Sequence, residues 1–280
     1  MLRLIALLMA LLTFAETLPA QSDNDAKKCA AASERNDFDL AIDYCTAAIQ
    51  SGELSDQELA ITFNNRGFAY YNKGEYDAAV RDYDRAVSLQ PGYGPALVRR
   101  ATVYQERRQY ERALADYEAA TQFDPKFASE RPKAFLFFYL GHMTQSAEMF
   151  EKHMKANPDD PWVLLFRYLV EAKIGNALAA ARELEADASK LKERRWPASI
   201  IDFHLGRIDE KAMFAAANDP DPKMKNEKTC AANFHAGESR LFRAQVSAAI
   251  PLLRAAEKDC PSHFYESHGA STELKRLGQK

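Results

Sequence analysis

Large and small apolar residues in this chain keep helical spacing, and the pattern returns after 34 positions. Gly67, Tyr70, Tyr76, Ala79, Tyr83, Ala86 and Pro91 are followed 34 residues later by Ala101, Tyr104, Tyr110, Ala113, Tyr117, Ala120 and Pro125. That many matches in one register predict a duplicated helical hairpin, because an ordinary amphipathic pair does not repeat its fine pattern. Gly67 or Ala101 on the first helix faces Ala79 or Ala113 on the second, and small side chains there let antiparallel backbones come close. Tyr70, Tyr76 and Tyr83 fill the space that remains. Gly74 falls in the turn, where a positive φ is easily reached. Pro91 and Pro125 end the second helices.

The register extends outward with decay. Cys29, Phe38, Ala41, Cys45 and Ala48 stand 38 residues before the clear unit, and Gly141, Ser146, Phe150 and Pro158 stand 33 after its successor. A weaker hairpin is expected from about 161 to 194, turning at Gly175, and a short one from Trp196 to Asn218, turning at Gly206. Gly237, Ala249, Leu253, Ala256 and Pro261 keep the internal offsets of a regular unit. A last amphipathic helix, from about His263 to Leu277, reads as a cap. The polar, Pro-rich stretch from Asn218 to Lys228 reads as a linker. The expected organisation is a leader over 1–20, a solenoid over 21–218 (regular repeats about 22–160), a linker over 219–229, and a terminal hairpin with capping helix over 230–280. The spacing within each unit resembles that of the tetratricopeptide repeat. This resemblance implies an all-α fold, a right-handed solenoid of stacked hairpins that binds other proteins.

Residues 1–20 read as a secretory leader. Arg3 precedes an apolar run from Leu4 to Phe14 that is too short to span a bilayer comfortably, and Ala15 and Ala20 offer two cleavage points. Export changes how the four cysteines are read, since thiol pairs outside the cytoplasm oxidise and stay oxidised. Cys29 and Cys45 face each other across one hairpin, and Cys230 and Cys260 lie at the adjacent ends of another, so both pairs are expected as disulfides. Each closes a modest loop and should stabilise by roughly 3–4 kcal/mol in the chain-entropy account. Cys260, His263 and His268 are close in sequence, but their spacing matches no standard zinc set and oxidation competes for the thiols, so no metal or other cofactor is expected.

The net charge of −3 is well mixed and forms no basic stripe, which argues against nucleic-acid binding. The six histidines sit in no nucleophile elbow, zincin helix or phosphate loop, so no enzymatic activity is expected. Alternating charges such as those over 106–112 read as a solvated helix face.

Binding is expected in a groove lined by the first helix of each hairpin. The helical period selects Asn64, Phe68 and Tyr71 from one unit, Val98, Thr102 and Gln105 with Arg99 beside them from the next, and Arg131, Phe135 and Phe138 from the third. Asn64 suits a peptide backbone, Arg99 and Arg131 suit carboxylates, and the aromatic rings suit apolar anchors. Phe135 and Phe138, in a run of aromatics, equally fit a core role.

The segments Asn157–Trp162 (NPDDPW), Trp196–Gly206 (WPASIIDFHLG) and Cys230–Gly237 (CAANFHAG) resemble the NlpI-type repeat proteins of bacterial envelopes. This resemblance implies a periplasmic, often homodimeric adaptor that gathers peptidoglycan hydrolases and presents an endopeptidase to a processing protease. Those relatives carry a lipidated cysteine directly after the leader. Here the first cysteine is Cys29, behind Lys27 and Lys28, so a soluble periplasmic protein without a lipid anchor is expected. The alternatives are a pilotin-like assembly factor for a secretion or pilus machine, or an enzyme with an unrecognised site.

Overall fold

The computed structural model describes residues 18–175, 177–192 and 195–279. Among these residues every regular element is helical, and the fold is an α-solenoid of consecutive hairpins. The chain divides into two compact units, one ending at Ala128 and the other starting at Ser129.

The first unit holds three hairpins: α1 (Leu18–Glu34) with α2 (Phe38–Ser51), α3 (Asp56–Asn72) with α4 (Tyr76–Leu89), and α5 (Gly94–Glu106) with α6 (Tyr110–Phe123). A 3-10 turn over Pro125–Phe127 closes it. Its helices start and stop for local reasons. Ser55 and Glu58 form a reciprocal capping box at the head of α3. The three hairpin turns pass through left-handed residues at Asn36, Gly74 and Arg108. The small-to-large complementarity is literal: a Cβ added at Gly67 would sit 2.8 Å from the Tyr83 ring. Ala101 and Tyr117, 34 residues on, are likewise buried.

A second repeat signature is ionic. Arg66 donates through Nε and Nη2 to both Asp82 carboxylate oxygens, at 2.8 Å each. Arg100 does the same to Asp116, at 2.8 and 2.6 Å. Each fork ties the first helix of a hairpin to its second, and the aspartate raises the guanidinium pKa in both. Arg66 also donates from Nη1 to Thr46 of α2, joining neighbouring hairpins.

The second unit holds α7 (Glu130–Leu140) with α8 (Met143–Ala156), α9 (Pro161–Ile174) with α10 (Ala177–Ala188), the short α11 (Ala198–His204) with α12 (Glu210–Ala216), α13 (Pro222–Phe242) with α14 (Val246–Asp259), and a last helix α15 (Tyr265–Arg276). A Cβ at Gly237 would meet Leu253 at 2.8 Å, which reproduces the Gly67–Tyr83 contact at the same offset. Disulfides join Cys29 to Cys45 across α1 and α2, and Cys230 to Cys260 across the last hairpin.

Three expectations meet a different outcome. The stretch expected as a linker over 219–229 enters α13 at Pro222. Asp221 accepts from the Lys223 and Met224 backbone N–H groups, and proline at a first helical position starts a helix instead of breaking one. The division between units falls at 128/129, not at that stretch. Finally, α15 is more than a cap: every residue from Glu266 to Leu274 is buried. It packs on α13 and α14 and also reaches the first helices of earlier hairpins. Tyr265 stacks on Phe135 at 3.5 Å, Glu273 pairs with Lys173 at 3.3 Å, and Arg276 donates to the Phe138 carbonyl at 3.4 Å. The inner face of the second unit is thus covered by its own last helix. The leader expectation falls mainly on residues 1–17, outside the described residues. Ala20 lies within α1.

Candidate functional site

Seven of the ten residues expected in or beside the groove belong to the first unit, on α3 and α5. Asn64 is buried on α3, and its Nδ2 reaches Asn65 Oδ1 at 3.4 Å while its Oδ1 has no partner. Phe68 is half-buried. The Arg99 guanidinium of α5 lies over its ring at 4.5 Å, and Phe38 meets it edge-on at 6.0 Å. Tyr71 lies 5.8 Å from Tyr76. Burial, helped by the nearby Glu106 carboxylate, pushes the Tyr71 hydroxyl up to about 12, so it is a neutral donor at any physiological pH.

Arg99 Nη1 and Gln105 Oε1 are buried without partners. Together with Asn64 Oδ1, they are the buried side-chain polar atoms of the first unit, among the described residues, that make no hydrogen bond. Each such atom costs about 1–3 kcal/mol relative to a satisfied one. Asn64 and Gln105 are residues that the helical period assigned to the groove, and Arg99 was placed beside them. They form a set of two acceptors and one donor, and a turned amide supplies further donors from the same side chains. An extended polypeptide backbone offers the complementary N–H and C=O groups, and Phe68 and Tyr71 supply adjacent apolar surface.

Two expected residues are already engaged. Thr102 donates its hydroxyl to the Val98 carbonyl at 3.0 Å and lies 3.3 Å from the Tyr117 hydroxyl, so it supports α5 more than it faces a ligand. Arg131, expected to take a carboxylate, belongs to the second unit. It donates from Nε to Asp160 at 3.1 Å and from Nη1 to the Tyr265 hydroxyl at 2.8 Å. Phe135 and Phe138 are fully buried, which settles them as core. Both follow from α15, whose approach consumes the inner face of that unit. The expected site therefore contracts to α3 and α5.

Two neighbours were missed. Ile61 is 39% exposed on α3, three residues before Asn64 and seven before Phe68, and this i, i+3, i+7 spacing was visible in the sequence. Glu106, beside Tyr71 and Tyr76, ends α5 and was read as part of a solvated face. Among the described residues no group of three His, Cys, Asp or Glu side chains is placed to hold a metal ion. No helix there is long and apolar enough to cross a membrane.

Comparison with known proteins agrees with this geometry. Residues 60–93 and 94–127 each match a model of the tetratricopeptide repeat, which covers α3 to α6 and so the whole candidate site. A tetratricopeptide repeat protein from Parabacteroides merdae superposes with a TM-score of 0.59 at 16% identity, over 91% of this chain and 99% of its own. The structure of the APC/C hetero-tetramer Cut9-Hcn1 superposes at 0.47 with 16% identity, over 88% of this chain and 48% of that one. Tetratricopeptide repeats are a protein-interaction scaffold, and the likeness to the first of these structures extends the repeat fold along most of the chain.

Proposed function

We propose that this repeat protein is a non-catalytic adaptor of the bacterial periplasm, and that α3 and α5 hold an extended segment of a client protein. The observation that carries the reading is the coincidence of three unsatisfied buried polar atoms with the predicted groove residues Asn64, Arg99 and Gln105. A client backbone satisfies them, and Phe68 and Tyr71 anchor its side chains. The two disulfides support an oxidising compartment, as does the leader-like sequence at the amino end. By resemblance to the NlpI-type envelope proteins, the clients are peptidoglycan hydrolases or a processing protease in cell-wall turnover.

The test is capture on the immobilised chain, followed by affinity measurement with a recovered client. Asn64→Ala combined with Tyr71→Ala is expected to leave the helical circular-dichroism signal intact and to weaken client binding by roughly 1–3 kcal/mol. Unchanged affinity in a folded double variant would place the client elsewhere. Recovery of secretin or pilus subunits in place of cell-wall enzymes would favour an assembly factor.

A further inference from the structure

A cavity of about 240 Å³ opens on the second unit, where the head of α9, the head of α15 and α7 converge. Its wall is Arg131, Trp162, His263, Phe264, Tyr265 and Glu266. Three of the six are aromatic rings in half-buried positions, so they offer apolar surface without filling the space. Among the described residues Trp162 stacks on no other ring. Its position is fixed by Asp160, whose Oδ1 accepts from the Trp162 backbone N–H at 3.1 Å. Tyr265 is held by its stack on Phe135 and by the hydrogen bond from Arg131. The cavity is therefore pre-shaped by contacts behind its wall.

Its chemistry is set by one carboxylate. Glu266 is 3% exposed, and its Oε1 is buried without a hydrogen-bond partner. The residue's own backbone N–H lies close enough to favour the ionised carboxylate. The one strong cation of the wall, Arg131, is already paired with Asp160 at 3.1 Å, and His153 also approaches Asp160 at 3.2 Å. Arg131, shared with Asp160, also attracts the Glu266 carboxylate, and one oxygen of that carboxylate, Oε1, is left without a hydrogen-bond partner behind aromatic walls.

We infer that this cavity is a socket for the lysine side chain of a partner polypeptide. An ammonium group meets the free oxygen of Glu266, and the butylene stem lies along Trp162 and Phe264. Lysine fits better than arginine, because a guanidinium fork needs two acceptors in one plane and Glu266 has one to give. An anion is disfavoured by the buried carboxylate. A neutral aliphatic chain leaves that oxygen as unsatisfied as before. Burial holds the Glu266 carboxyl up at about 7, against the opposing pull of its own backbone N–H and of Arg131. The site is separate from the α3–α5 face and does not depend on that reading.

The test uses the full chain carrying Trp196→Phe, which leaves Trp162 as the only tryptophan fluorophore. Nα-acetyl-lysine methylamide is titrated and Trp162 emission is followed. The expected result is a saturable change, with the norleucine and arginine analogues each binding about ten-fold more weakly or worse, and the glutamate analogue giving no change. Glu266→Gln is expected to lower lysine affinity by about ten-fold while leaving the thermal unfolding curve in place. Equal affinity for lysine and norleucine overturns the assignment, as does full affinity in folded Glu266→Gln. If that variant fails to fold, the comparison of analogues on unaltered Glu266 decides alone. Because each probe is a single residue, failure here leaves the groove proposal standing, and failure of client capture leaves this one standing.

Discussion

Phe135→Ala is expected to destabilise the second unit by about 3–5 kcal/mol, the usual range for truncating a buried phenylalanine. Phe135 is fully buried and sits at the centre of a ring cluster. Phe166 meets it edge-on at 4.7 Å and Phe150 at 5.0 Å, while Tyr265 stacks on it at 3.5 Å. Aromatic contacts add roughly 0.5–1.5 kcal/mol per pair beyond the area they bury. The stack on Tyr265 gives the loss a direction. It is the principal apolar anchor at the head of α15, so amides of that helix should lose hydrogen-exchange protection first. Urea denaturation and exchange mass spectrometry measure the two effects. A loss under about 1 kcal/mol would mean that the ring is not a core element.

The second large effect is at the amino end of the described chain. The core of the first hairpin is built from small side chains, Ala32 and Ala41 packed with Ala69 of α3, with Phe38, Ile42 and Tyr44 only partly buried around them. So little apolar surface stabilises α1 weakly, and the Cys29–Cys45 bond compensates by restricting the unfolded chain. With a sequence separation of 16, its removal by Cys29→Ser and Cys45→Ser should cost about 3 kcal/mol. The cost should appear as fraying of α1, with exchange there faster by about a hundred-fold while α3 to α6 stay protected. Exchange unchanged in α1 would show that packing alone holds the helix. The Cys230–Cys260 bond closes a longer loop, but α13 and α14 bury Phe234, Leu253 and several alanines, so less of that hairpin depends on its bridge.

The hairpins were legible because their packing is written residue by residue. Gly67 against Tyr83 and Gly237 against Leu253 are one contact made twice at one offset, and a periodic search finds such pairs. The cysteine pairs were legible for the same reason, since a hairpin fixes which positions oppose each other. The burial of α15 was not. Its sequence contains few apolar residues, and its polar ones are accommodated by specific partners: Glu273 by Lys173 and Arg276, and Tyr265 by Arg131. Hydropathy does not register a helix buried through polar contacts. Arg131 and Phe135 were therefore placed in an open groove that α15 already covers. The Arg66–Asp82 and Arg100–Asp116 forks were missed because charge alternation was taken as solvation, although their shared spacing was in plain view. The stretch after Asn218 was judged by its prolines alone. Asp221 followed by Pro222 is a capping residue followed by the residue that tolerates a first helical turn best.

The central claim is that the faces of α3 and α5 receive the client. A photoreactive phenylalanine analogue in place of Phe68 or Gln105 tests it most directly, with the same analogue in place of Arg85 or Glu118, exposed on α4 and α6, as the comparison. Crosslinks to the captured client from positions 68 and 105, and none from 85 and 118, are the predicted result. Crosslinks confined to positions 85 and 118 would contradict it and move the client to the second helices of the repeats.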